Sequence, residues 1–88
     1  MMNDNARLAV TTPAGTAYFR IAEAEQLDDG YIRLVLVTTD WLDAGVHQAT
    51  LIDGDVRVEG YLSVYDYRSN AGKIEILGIW IVAPVGSV

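Results

Sequence analysis

The stretch Gly54-Asp55-Val56-Arg57-Val58-Glu59-Gly60-Tyr61-Leu62-Ser63-Val64-Tyr65-Asp66-Tyr67-Arg68 decides the fold, because two chemically different faces alternate along it. Side chains on a strand alternate sides. Val56, Val58, Leu62 and Val64 therefore share one face with a small slot at Gly60, while Arg57, Glu59, Tyr61, Ser63, Tyr65 and Tyr67 share the other. The first face suits the inside of a small barrel. The second is aromatic and partly charged, and it suits a flat ligand or another subunit.

Strand and turn signals continue on both sides of this stretch. Ala6 to Thr12 reads as a short strand that ends at Pro13-Ala14-Gly15, where proline presets a turn. Thr16 to Gln26 follows, with Phe19 and Ile21 on one side and Tyr18, Arg20 and Ala22 on the other, until Asp28-Asp29-Gly30 marks the next turn. Tyr31 to Thr38 forms a third strand whose Ile32, Leu34 and Leu36 make an apolar face. Asp40 ahead of Trp41-Leu42, with Asp43 behind, is an acceptable helix start and predicts a short helix to about Ala49, although Gly45 and Val46 weaken it. After the quoted strand, Ser69-Asn70-Ala71-Gly72 turns the chain back into Lys73 to Ala83, which is apolar on both faces. One of those faces fills the barrel, and the other must meet a loop, a helix or another chain.

The expected fold is all-β: a five-stranded OB-fold Greek-key barrel, with one short helix between strands 3 and 4, spanning 1–88 as a single domain. A chain of 88 residues buries only about 60 to 65% of its unfolded surface. Its apolar fraction of 51% is high for so small a core and points to a homo-oligomer joined through apolar strand faces. No cysteine is present, which removes disulfides and thiolate metal sites. The longest apolar run, Ile76 to Val85, is too short for a membrane helix, and no basic segment opens the chain, so a cytoplasmic protein without a membrane partner is expected.

Twelve acids against six bases give a net charge of -6. Because Lys and Arg supply most sequence-independent affinity for nucleic acid, a nucleic-acid binder with this balance must keep its few bases on one face.

Several short pieces, taken in order, resemble the single-stranded DNA-binding protein family of bacteria and their phages over roughly Arg7 to Ala83. Arg7, Thr12-Pro13-Ala14-Gly15-Thr16 and Phe19-Arg20-Ile21-Ala22 resemble its first hairpin, and Tyr31-Ile32-Arg33-Leu34-Val35 its third strand. Gly54-Asp55-Val56-Arg57-Val58-Glu59-Gly60-Tyr61-Leu62 resembles its fourth, one residue tighter before the first valine. The resemblance implies an OB-fold that binds single-stranded DNA, or RNA, without sequence preference, with Tyr31 and Tyr67 at base-stacking positions. Leu27 and Val37 stand where the family has further aromatic residues, and most of the first strand, many bases and the acidic-tipped tail have no counterpart here.

Tyr31, Arg33, Arg57, Tyr61, Tyr65, Tyr67, Arg68 and Lys73 are thus the candidate nucleic-acid-binding residues, with rings to stack and cations to meet phosphates. The plainer role for the tyrosines, and still more for Trp80, is packing or a subunit interface. A diverged assembly module that binds protein rather than nucleic acid is the alternative, and the charge favours it. His47 beside Asp43 makes a poor metal site, and Asp53-Gly54-Asp55 reads as a turn because the later ligands of a calcium loop are missing. No triad, phosphate loop or dinucleotide fingerprint occurs, so no cofactor and no catalysis are expected.

Overall fold

The strands follow alternation with a β-branched or aromatic bias, and most of the connections between them carry glycine or aspartate. The computed structural model describes residues 6–38 and 41–83. Within them the chain runs β1 (Arg7–Thr12), β2 (Gly15–Gln26), β3 (Tyr31–Thr38), β4 (Gly45–Asp53), β5 (Val56–Asn70) and β6 (Lys73–Val82). All neighbours pair antiparallel, in a closed barrel of order β1-β2-β3-β6-β5-β4.

The barrel therefore consists of two three-stranded meanders, β1–β3 and β4–β6. They are joined by β1 against β4 and by β3 against β6. An all-β closed barrel is present as expected, but its strand count and its helix differ from the expectation. There are six strands, and no α-helix occurs among the described residues; the segment predicted to be helical carries β4 instead. Its proposed cap, Asp40, lies outside those residues.

The reason for β4 is periodicity. Val46, Gln48, Thr50 and Ile52 alternate with His47, Ala49 and Leu51, and β-branched side chains lose rotamer freedom in a helix but pack well on a pleated surface. Ala49 and Leu51 face inward opposite Gly60 and Val58, giving the β5 stretch a partner for its apolar face.

Leu8, Val10, Phe19, Leu34, Leu36, Leu62, Ile76 and Trp80 fill the interior, all essentially without solvent contact. Trp80 is therefore core rather than interface, and the slot expected at Gly60 is where its indole lies: a Cβ there would sit 2.9 Å from the ring and 2.2 Å from the Ile81 carbonyl oxygen. Leu62 fills the matching gap over Gly78, 2.7 Å from where a Cβ would stand. Of buried side-chain polar atoms in the described residues, only Trp80 Nε1 and Asp53 Oδ1 are without a protein partner.

The connection from β3 to β4 drops Leu42 into the core. Each meander also has a bulge in its long middle strand, after Ile21 in β2 and after Val64 in β5. A bulge adds one unpaired residue and so changes which side the following residues face.

Candidate interaction surface

The bulge in β5 determines which of its tyrosines are available. Tyr61, Ser63 and Tyr65 point outward as alternation predicts, and Asp66 pairs with Leu77 on the same outer side. Tyr67 then pairs with Ile76 and turns inward. Its hydroxyl donates to the Leu42 carbonyl oxygen at 2.5 Å, and its ring stacks on Trp41 at a centroid distance of 4.3 Å. Burial, followed by the nearby Asp43 carboxylate, raises its pKa above the ordinary 10.0. Simple alternation put Tyr67 outside with the other rings; the extra residue moves it to the barrel end, where it holds the β3–β4 crossover in place.

The outer faces of β3, β6 and β5 form a continuous patch. One cross-strand row reads Tyr31, Ile81, Tyr61 and Gln48, and the next reads Arg33, Ile79, Ser63 and Val46. Val35 and Leu77 continue the apolar centre one row on. Tyr31 and Tyr61 each keep 42% of their surface exposed on either side of Ile81, and Val46 keeps 71%. No element of the described residues covers Leu77, Ile79 or Ile81 from outside; all three remain half-buried.

The patch's cations are already paired. Arg33 lies 3.4 Å from Glu25, its cross-strand neighbour on β2. Arg68 donates from Nε to Glu75 at 2.6 Å and lies 3.8 Å from Glu23 on β2. The Arg68 pKa is raised, first by the hydrogen bond to Glu75 and then by that carboxylate's charge. Glu75 is 8% exposed, so this pair is well screened from water on the carboxylate side. Both guanidinium groups are thus met by carboxylates, and a phosphate would have to compete for them.

No protein-family model, curated protein or solved structure matches this chain.

Of the eight candidate residues, Tyr31, Arg33, Tyr61, Tyr65 and Arg68 lie on or beside this patch. Arg57 pairs with Ile52 on the β4 side, and Lys73 follows the β5–β6 turn and lines a separate cleft. Tyr67 is held at the crossover. The members that sequence reasoning left out are Ile79, Ile81 and Val46. The first two were visible as the second apolar face of β6. Val46 could be placed only once β4 was known to be a strand.

Proposed function

We propose that the chain is a non-catalytic assembly module that docks through the outer face of β3, β6 and β5 onto another polypeptide, in the first instance a second copy of itself. One observation carries this reading: no element of the described residues covers the half-buried apolar centre of that face, Leu77, Ile79 and Ile81, between two half-exposed tyrosines, while its bordering arginines are neutralised from within the chain. Interface cores are rich in tyrosine and poor in unpaired charge, and a face of this composition is self-complementary under a two-fold axis. The net charge of -6 keeps separate copies soluble without placing an unpaired charge at the centre of the patch.

The test is solution mass by light scattering or sedimentation. At about 100 μM a contact worth about 5.5 kcal/mol is half assembled, so the wild type is expected to exceed monomer mass. Ile79→Asp, which buries a carboxylate in the middle of the contact, is expected to return it to monomer without loss of fold. A wild type that stays monomeric under these conditions overturns the reading.

A second reading, an OB-fold-like protein that binds single-stranded DNA or RNA, is favoured by the rings themselves. Tyr31, Tyr61 and Tyr65 are exposed on neighbouring strands, and each base stacked on such a ring is worth about 1 to 3 kcal/mol. It predicts tyrosine quenching by a single-stranded oligonucleotide, with affinity that falls steeply as salt rises. Absence of binding at low salt would remove it.

A further inference from the structure

A cleft at the opposite end of β3 and β6 from Tyr31 and Ile81 gathers cations. It has a volume of about 560 Å³ and is lined by Arg7, Tyr18, Arg20, Val37, Lys73 and Ile74, among others. Three of the chain's six basic residues therefore converge on one cleft, although acids outnumber bases two to one. No carboxylate is part of the lining, and none of the three cations has an ion-pair partner among the described residues.

The register sharpens the point. Arg7 and Arg20 are direct cross-strand partners on β1 and β2, and like charges placed opposite one another on a sheet are destabilising. Lys73 is fixed near them by a tight turn in which Ala71 and Gly72 both have positive φ, 52° and 78°. This is the pattern of the two-residue hairpin turns, which leave little slack. Tyr18 stands at the rim with 63% of its surface exposed, and Val37 and Ile74 supply an apolar wall.

We propose that this cleft binds a small ligand in which a flat ring is joined to one or two phosphates. Three cations call for more than the single charge of a carboxylate. A phosphate monoester carries about -1.5 to -2 at neutral pH and presents oxygens that match the guanidinium fork. The ring lies against Tyr18 and the aliphatic wall. The volume lies in the range typical of small-molecule sites, about 300 to 1,000 Å³. A long polyanion fits less well. In the same cross-strand row the cations give way at Val37 to Glu75, which is already engaged by Arg68, and the chain as a whole repels a polyanion.

Titration of the ¹⁵N-labelled chain at low ionic strength with ADP, pyrophosphate, adenosine and an oligothymidylate tests the assignment. ADP is expected to shift the amides around Arg20 and Lys73 saturably, with pyrophosphate weaker and adenosine weaker still. Arg20→Gln and Lys73→Gln are each expected to weaken ADP by about tenfold or more, the effect of losing one charged hydrogen bond. Tyr18→Ala is expected to weaken ADP while leaving pyrophosphate unchanged. Arg57→Gln removes the same charge outside the cleft, and its effect on ADP is expected to be less than about twofold.

Three results overturn the proposal. The first is no saturable binding of ADP or pyrophosphate below millimolar concentration. The second is equal losses in Arg57→Gln and Arg20→Gln, which would mean diffuse attraction to charge. The third is an oligothymidylate that displaces ADP and binds more tightly per phosphate, which would make the cleft part of a polymer track. The docking face contributes no residue to this cleft, so a monomeric wild type leaves the result unaffected.

Discussion

In β1–β3 the long middle strand bulges after Ile21 and shows Tyr18 and Arg20 to the outside; in β4–β6 it bulges after Val64 and shows Tyr61, Ser63 and Tyr65. The two meanders occupy equivalent places in the closed sheet, each flanked by its own two partners and joined to the other at both edges. Their outer surfaces nevertheless differ. In the first, Arg7 and Arg20 oppose each other without a carboxylate. In the second, Arg68 is engaged with Glu75, and the adjoining surface is aliphatic. The interiors differ too, because the two glycine gaps that side chains fill, Gly60 under Trp80 and Gly78 under Leu62, lie wholly in the second meander. The second meander thus holds both filled glycine gaps and most of the apolar outer surface, and the first sets two like charges directly opposite each other.

The most severe test of this asymmetry is Gly60→Ala. The new methyl would meet the backbone oxygen of Ile81 as well as the Trp80 ring, neither of which can yield cheaply, so a loss of about 3 kcal/mol is expected in urea unfolding. Gly78→Ala should cost less, since a Leu62 methyl can rotate away. Equal costs would mean that the packing around Trp80 is looser than its geometry implies.

Next comes Arg68→Met, which leaves the Glu75 carboxylate, 8% exposed, without its guanidinium. A loss of about 1 to 3 kcal/mol is expected at neutral pH. In the first meander the same kind of change should have the opposite sign. Arg20→Gln relieves the repulsion with Arg7 and is expected to stabilise the free protein by about 0.2 to 1 kcal/mol. Should both substitutions destabilise the fold alike, the two surfaces would not differ in the way described.

The smallest effect concerns Tyr67 and high pH. The folded chain holds the phenolic proton more tightly than the unfolded chain, whose value is near 10.0. The stability this gives is fully present below that pH and is lost as pH rises through the folded pKa. Tyr67→Phe should flatten the alkaline limb of a thermal melt series.

Much of the barrel was legible because its strands alternate cleanly. The pattern from Val58 to Val64 gives the correct faces, while Val56 stays exposed at the start of β5, and the turns at Pro13-Ala14, Asp28-Asp29-Gly30 and Ala71-Gly72 stand where their residues place them. The segment carrying β4 was misread because an aspartate ahead of Trp41-Leu42 resembles a helix start, and local capping chemistry outweighed the alternation of Val46, Gln48, Thr50 and Ile52. Tyr67 was misplaced because a bulge leaves no mark in the sequence where it occurs. Arg7 and Arg20 become neighbours only through the β1–β2 register, and Lys73 joins them only when β6 lies beside β3. Such proximity is a property of the closed sheet, and composition along the chain does not display it.

Closure has a further consequence. Following paired residues from Arg57 through Ile52, Arg7, Arg20, Val37 and Glu75 leads back to β5 at Arg68. The row closes, but the long middle strands run past their shorter neighbours: among the described residues, 23–26 of β2 pair only with β3 and 66–70 of β5 only with β6. Along the closed row a partner must recognise side chains, and that recognition can be altered one residue at a time without disturbing the backbone ladder.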